Sequence, residues 1–403
     1  MSTTICFDLR CLQIGHESRG IGMHARSIVE HLKPEKDKEY VFYVFDDYDP
    51  IQKLGIKLRV PYKLIQTPRV KKSIDRPQDF YYLSKIIWHK FKPLRHQRVD
   101  VFVQFDFMLG LPAIPGTKTI LIAYDVIPLI FAADYLPTPA FAFRSHKGPQ
   151  KIKKAIRAAY YRFRFRLHYK NFEKADQLVS ISEATSRDIV AYLGVDRKKI
   201  TTIPLAPVFN ETKAVRPKLL PKDLKKFIFY IGATDSRKRV EDLIAAFNIV
   251  RGRGEDIRLV LAGKEFDPKG EIPSAIIRAA ILDSAYREDI VQIGYVGDAE
   301  KTWLYDNALC FVFPTLYEGF GLPVVEASLR KCYTVCYDNS SIPEVASSYT
   351  RLVRTGDYVE LAHEILNIPQ DKQAISRSQS SAQDTYDWNG YLNRFFPVIL
   401  ERK

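Results

Sequence analysis

The chain has 403 residues, too many for one ordinary hydrophobic core, so two domains of similar size are expected. An apolar share of 46% is that of a globular protein, but a formal net charge of +14 calls for a negative partner: nucleic acid, anionic lipid or a phosphorylated substrate. There is no apolar run of about eighteen residues to span a membrane, the start Met1-Ser2-Thr3-Thr4-Ile5-Cys6 carries no signal-peptide pattern, and five scattered cysteines without zinc spacing fit a reducing compartment.

Residues 4–9 read as a first strand, followed by a loop over 15–22 and a helix over 23–32. The turn Arg19-Gly20-Ile21-Gly22 falls at the carboxyl end of strand one, where a Rossmann-like fold places its ligand loop. It is not the full dinucleotide fingerprint, and Arg19 reads equally as a loop cation. A second strand, 40–45, runs into Asp46-Asp47-Tyr48-Asp49, which reads as a solvated turn. Residues 61–72, with Arg69, Lys71 and Lys72, read as a loop. Strands follow at 99–105 and 119–123, and short apolar runs separated by helical stretches argue for a parallel sheet. The second of them closes on Tyr124-Asp125-Val126-Ile127-Pro128, where Asp125 reads either as the cap of a turn or as a site residue.

Between Arg144 and Lys170 there is no acidic residue, while ten basic residues alternate with Tyr160, Tyr161, Phe163 and Phe165. The pattern allows a helix from Gln150. A basic helix interleaved with aromatics suits an anionic membrane surface, each cation contributing roughly 1 kcal/mol. Nucleic acid suits the same charge, but no nucleic-acid fold motif accompanies it. The plainer alternative is a solvated helix whose aromatic face packs on the sheet. A strand at 177–181, a helix capped by Ser182 and a strand at 200–203 end this half.

Residues 205–226, rich in Pro and Lys, read as a linker. The second half opens with a strand at 227–231, then Gly232-Ala233-Thr234-Asp235-Ser236-Arg237-Lys238-Arg239 and a helix over 240–250. Cations at a helix start oppose the macrodipole, a local conflict that points to an anionic ligand. Strands at 257–261 and 290–294 follow, the latter leading into Tyr295-Val296-Gly297-Asp298. A buried strand, 309–313, then meets Pro314-Thr315-Leu316-Tyr317-Glu318-Gly319-Phe320-Gly321-Leu322-Pro323-Val324-Val325-Glu326, with a helix from about Leu322. Gly319 and Gly321 let a ligand approach the backbone, and the helix start presents unpaired N–H groups. A phosphate site would normally avoid extra carboxylates, so Glu318 and Glu326 suit neutral hydroxyls: a sugar for the first, a ribose diol for the second.

Glu318 and Glu326, spaced Glu-x7-Glu inside Tyr-Glu-Gly-Phe-Gly-Leu-Pro, resemble the donor-site signature of the retaining glycosyltransferases of family 4. The resemblance implies a GT-B architecture: two Rossmann-like α/β domains with parallel sheets facing a central cleft. It implies an acceptor-binding domain over 1–206, a nucleotide-sugar donor domain over 207–385, and a helix over 386–403, after Tyr386-Asp387-Trp388, crossing back onto the first domain. In its terms Gly20 and Gly22 face the donor's sugar and phosphates. Gly232, Arg237 and Lys238 belong to the segment whose cations bind the diphosphate, and backbone at Val296 meets the base. Gly319, Phe320, Gly321 and Leu322 complete the donor loop, and Ser340-Ser341-Ile342-Pro343-Glu344 matches as well.

Departures are visible: Tyr124 stands where the family commonly has His, Ala233 where many members have Arg, and Arg330-Lys331-Cys332 replaces a Gly-Pro turn. Asp47-Tyr48-Asp49, an Asp-x-Asp after a strand, would be a metal site only in the other, GT-A, architecture. The expected activity is metal-independent, front-face transfer of a hexose, mannose favoured, from a guanosine- or uridine-diphosphate sugar to a glycan or lipid-linked glycan. Lys238 and Arg237 neutralise the leaving group, Glu318 holds the sugar, and Tyr124 and Asp125 complete the catalytic set. The setting expected is cell-surface polysaccharide or glycoconjugate synthesis, in the cytoplasm, peripheral at the inner face of the plasma membrane through residues 144–170, with no resident cofactor and no nucleic-acid partner. The alternative is a non-catalytic GT-B protein acting as a binding or partner subunit. A phosphorylase or sugar-nucleotide epimerase shares the architecture but not the Glu-x7-Glu preference.

Overall fold

The computed structural model describes residues 2–17, 20–69, 91–136, 138–144, 150–207, 213–368 and 386–401. The chain divides into two compact units, Met1–Val208 with Trp388–Lys403, and Phe209–Asp387. The terminal helix, Trp388–Leu400, is therefore part of the first unit.

The first unit holds seven strands: β1 (Thr3–Asp8), β2 (Lys38–Phe45), β3 (Tyr62–Thr67), β4 (Val101–Gln104), β5 (Lys118–Ala123), β6 (Gln177–Ser180) and β7 (Ile200–Thr202). They form one sheet in the order β3-β2-β1-β4-β5-β6-β7, every pair parallel. Central strands such as β5, Lys-Thr-Ile-Leu-Ile-Ala, are buried on both faces, as parallel sheets with helices on either side require. The strand order reverses between β1 and β4. In open α/β sheets, ligands bind outside the carboxyl ends of strands at such a reversal.

The second unit repeats the plan with β8 (Phe227–Ile231), β9 (Arg258–Ala262), β10 (Ile290–Gly294), β11 (Cys310–Phe313), β12 (Thr334–Tyr337) and β13 (Thr350–Val353). The order is β10-β9-β8-β11-β12-β13, again all parallel, and the reversal lies between β8 and β11. That puts the loop after β8, with Arg237 and Lys238, beside the loop after β11, with Glu318.

Two readings of the sequence are corrected. Residues 62–67, taken as loop, are the edge strand β3, in register with β2 from Tyr40–Tyr62 to Phe45–Thr67. Its alternation is weak because an edge strand leaves Tyr62, Lys63 and Gln66 in solvent. The first helix begins at Gly20, not Met23, so Gly20 and Gly22 are helical residues rather than loop. Arg19, Lys71, Lys72 and Lys147 lie outside the described residues. The basic stretch does form a helix, Gln150–Lys174. Among the described residues no helix is long and apolar enough to cross a membrane.

Candidate active site

β8 delivers its chain into a tight turn. The hydroxyl of Tyr230 donates to the carbonyl of Ala233 at 2.9 Å, and a Cβ on Gly232 would collide with that same ring. A short 3-10 turn, Ser236–Lys238, then leads through Arg239, whose backbone is left-handed at φ 49°, into the helix Val240–Gly252. Residues 236–238 are thereby held facing the loop after β11.

That loop is tied down from both sides. The Leu316 amide donates to the Arg237 carbonyl at 2.7 Å, and the Asn339 amide to the Thr315 carbonyl at 2.8 Å. Glu318 is gripped by its backbone: its N–H donates to Ser340 Oγ and its carbonyl accepts from Ser341 Oγ, both at 2.9 Å. Gly321 precedes the helix Leu322–Leu329 with φ 96°, and a Cβ there would press on Ile342 at 2.9 Å, so only glycine fits. Phe320 is buried against Tyr386 at 6.1 Å, a contact within the second unit.

Three groups converge on one oxygen. Glu318 Oε1 accepts from Lys238 Nζ at 2.6 Å, Arg237 Nη1 at 2.9 Å and Thr315 Oγ1 at 2.8 Å. Arg237 also donates to the Tyr317 carbonyl at 2.8 Å, and Lys238 lies over the Phe313 ring at 4.7 Å. Burial alone would raise the Glu318 carboxyl, but Lys238 and Arg237 hold it below the usual carboxylate range. Lys238, desolvated and crowded by Arg237, sits below the ordinary ammonium value although Glu318 supports its charge. Two cations share the Glu318 carboxylate, with Asp235 a further negative neighbour of Lys238.

Glu326 is on the helix after the loop, buried, and its carboxylate is held by two residues the sequence reading missed. Lys301 Nζ donates at 2.7 Å and the Tyr305 hydroxyl at 3.1 Å. Both stand on the helix Asp298–Asn307 that follows β10. Lys301 also faces Asp298 at 3.5 Å; desolvation, which lowers its pKa, is outweighed by Glu326, and the ammonium is held above its ordinary value. The only signal for the pair was their helical spacing after the Val296-Gly297 turn. Val296 is buried at that turn, while Tyr295 beside it is exposed, with Lys264 Nζ 5.7 Å from its ring centre. Arg237, Lys238, Glu318, Glu326, Gly232, Val296 and residues 319–322 all belong to the second unit and follow the carboxyl ends of β8, β10 and β11. Two cations and a helix start are groups that can accept an anion, and two fixed carboxylates are groups that can accept hydroxyl hydrogen bonds.

The candidates in the first unit are differently employed. A Cβ on Gly22 would collide with the carbonyl of His16, so this glycine answers a packing need within the fold. The Tyr124 hydroxyl is hydrogen-bonded to His24 Nδ1 at 2.7 Å. His24 is walled in by Phe105, Trp388 and Tyr391, and burial pushes its pKa down to about 3. Asp125 Oδ1 accepts from the Ile127 amide at 3.0 Å, the capping role. Asp47 is paired with Arg69 at 2.5 Å and Asp49 caps a short helix at Ile51, as a structural turn would have it.

Residues 211–384 match the family model described as glycosyl transferases group 1. Over 252 residues the chain is 25% identical to the serotype-specific mannosyltransferase WbdA of Escherichia coli, which covers 60% of this chain but only 28% of that protein. It is 26% identical over 215 residues to O-antigen chain mannosyltransferase B of Escherichia coli, 50% of this chain and 54% of the relative. Among solved structures, sucrose-phosphate synthase from Thermosynechococcus elongatus superposes with a TM-score of 0.69 at 17% identity, covering 98% of each chain. The two parallel-sheet α/β units share the GT-B architecture of such neighbours, and the second of them carries the likeness to group 1 glycosyl transferases, over residues 211–384.

Proposed function

We propose that the protein transfers a hexose, mannose in preference, from a nucleoside diphosphate sugar to a glycan or lipid-linked glycan acceptor, with retention and without a metal. The observation that carries this reading is the convergence of Lys238, Arg237 and Thr315 on Glu318 at the strand-order reversal of the second unit. In this reading the diphosphate takes the two cations and the N–H groups at the start of the helix Leu322–Leu329, which stabilise charge growing on the leaving group. Glu318 holds hydroxyls of the sugar. Glu326, fixed by Lys301 and Tyr305, holds the ribose diol, and the base lies along backbone at Val296. The acceptor hydroxyl attacks on the face the nucleotide leaves, and the departing phosphate takes its proton. The mannose preference follows the names of the relatives. Their O-antigen chemistry supports a place in surface polysaccharide or glycoconjugate synthesis, at the cytoplasmic face of a membrane that the basic helix meets.

The first test is calorimetric titration with guanosine, uridine, thymidine and adenosine diphosphates, repeated on Glu326→Ala. Selective binding of one diphosphate, lost in the variant, is expected and names the base. Release of sugar from the matching donor only when an acceptor is present then completes the case. No binding to any of the four overturns the reading in favour of a non-catalytic GT-B subunit. The engagement of the Tyr124 hydroxyl by His24 in place of a free side chain fits that alternative.

A further inference from the structure

We propose that the outer face of the basic helix Gln150–Lys174 is a docking surface for an anionic lipid bilayer, with a defined apolar stripe that enters the headgroup region. This deepens the peripheral placement proposed above and rests on it. The helix has two apolar faces. Ala158, Tyr169 and Phe172 are buried, the last two packed on Phe107 at 4.9 and 5.4 Å, and Phe165 joins the same core. These residues anchor the helix to the first unit. A second apolar set remains in solvent: Ile152 is 54% exposed, Ile156 65%, Phe163 56% and Leu167 42%.

At about 100° per residue, positions 152, 156, 163 and 167 fall within a stripe about 60° wide, and the buried set lies roughly opposite. Among the described residues the core clusters of the unit do not include the stripe. By the same geometry Lys153, Arg157 and Arg164 line one flank, Arg166 the other, and Lys170 stands in line with the stripe. The first acidic residue of the helix is Glu173, close to its end. Large apolar side chains flanked by cations, with no acid among them, match the boundary between acyl chains and anionic headgroups.

The same charges argue against other occupants. A second copy would bring equal cations against equal cations. A nucleic acid would leave Ile152, Ile156 and Leu167 idle, since aliphatic side chains offer no stacking platform for bases.

The test is flotation of the full chain with vesicles of phosphatidylcholine containing phosphatidylglycerol, and with vesicles of phosphatidylcholine alone. The protein is expected to float with the first and not with the second. Ile156→Asp with Phe163→Asp should reduce its partition about tenfold or more. A milder pair, Ile152→Ser with Leu167→Ser, should give an intermediate loss and guards against misfolding, as does an unchanged thermal melt. Nucleoside diphosphate titration of both variants should be unaltered. An acidic pair that floats like the parent, or a parent that ignores anionic vesicles, overturns the proposal. So does a parent whose sedimentation shows a dimer that the acidic pair dissolves, which would assign the stripe to a second copy. Floating without nucleotide binding would sink the donor reading and leave this surface standing; the reverse result would do the opposite.

Discussion

Glu318 occupies the two cations that the proposed donor requires. Lys238 and Arg237 are bonded to its carboxylate at 2.6 and 2.9 Å, so an incoming diphosphate has to share both cations with a fixed anion. Glu318→Gln removes that competition. Nucleoside diphosphate should bind about tenfold more tightly, roughly 1.4 kcal/mol, because the added anion no longer lies near a fixed one. Transfer should nevertheless slow, since the carboxylate that accepts sugar hydroxyls is gone. Lys238→Ala should act in the other sense, weakening diphosphate binding about ten- to a hundredfold, roughly 1.5–3 kcal/mol. Titration calorimetry on both variants decides: unchanged affinity in Lys238→Ala, or weaker affinity in Glu318→Gln, removes the diphosphate from these cations. At this scale the sequence was unevenly legible. Glu318, Glu326 and Lys238 could be picked out because each sits in a short contiguous string. Lys301 and Tyr305 could not, because their partner Glu326 is 25 and 21 residues away and meets them only once two helices face each other.

Elements were legible where burial leaves a continuous apolar run. β1, β2, β5, β8 and β11 are such runs, and their parallel arrangement follows from the helices between them. The edge strand β3 was not legible, because its solvent side carries Lys63 and Gln66 as a loop would, nor were β12 and β13, short strands whose pairing depends on distant partners. The first helix was misjudged at its start, since glycines read as turn until the close approach of the His16 carbonyl is known. That helix is joined to the terminal helix through His24, whose ring packs against Trp388 and Tyr391. Buried His24 takes up a proton only near pH 3, whereas an unfolded histidine does so near 6.5. Between those values the unfolded chain holds the extra proton, so this residue's contribution is intact above about pH 6.5 and is lost as pH falls towards 3, by up to about 1.4 kcal/mol per pH unit. Denaturant melts between pH 7 and 4 should therefore show a steeper acid loss in the parent than in His24→Gln. Equal slopes would mean that His24 is not held neutral in the folded protein.

For the whole molecule, the match to group 1 glycosyl transferases, residues 211–384, falls within the second unit, which also holds Lys238, Arg237, Glu318 and Glu326. The two-unit, parallel-sheet organisation was legible because both halves read as repeating strand–helix units with loops at carboxyl ends. What could not be foreseen is how the first unit employs Gly22, which answers packing, and the Tyr124 hydroxyl, which is bonded to His24; Asp125 caps a turn, one of the two roles the sequence offered. If the nucleotide is bound by the second unit alone, its effect on backbone exchange must be confined there. Hydrogen exchange with a tight nucleoside diphosphate should slow amides in 232–239, 294–298 and 314–322, where the ligand withdraws N–H groups from water and raises the cost of local opening. At a hundredfold excess over Kd that cost rises by about 2.7 kcal/mol, or about a hundredfold in exchange rate. Amides around Gly20 and Gly22 should not respond, because in this reading the second unit alone holds the nucleotide. Protection there with the nucleotide alone would return the first helix to the donor site and take the binding of diphosphate away from the second unit as its sole owner.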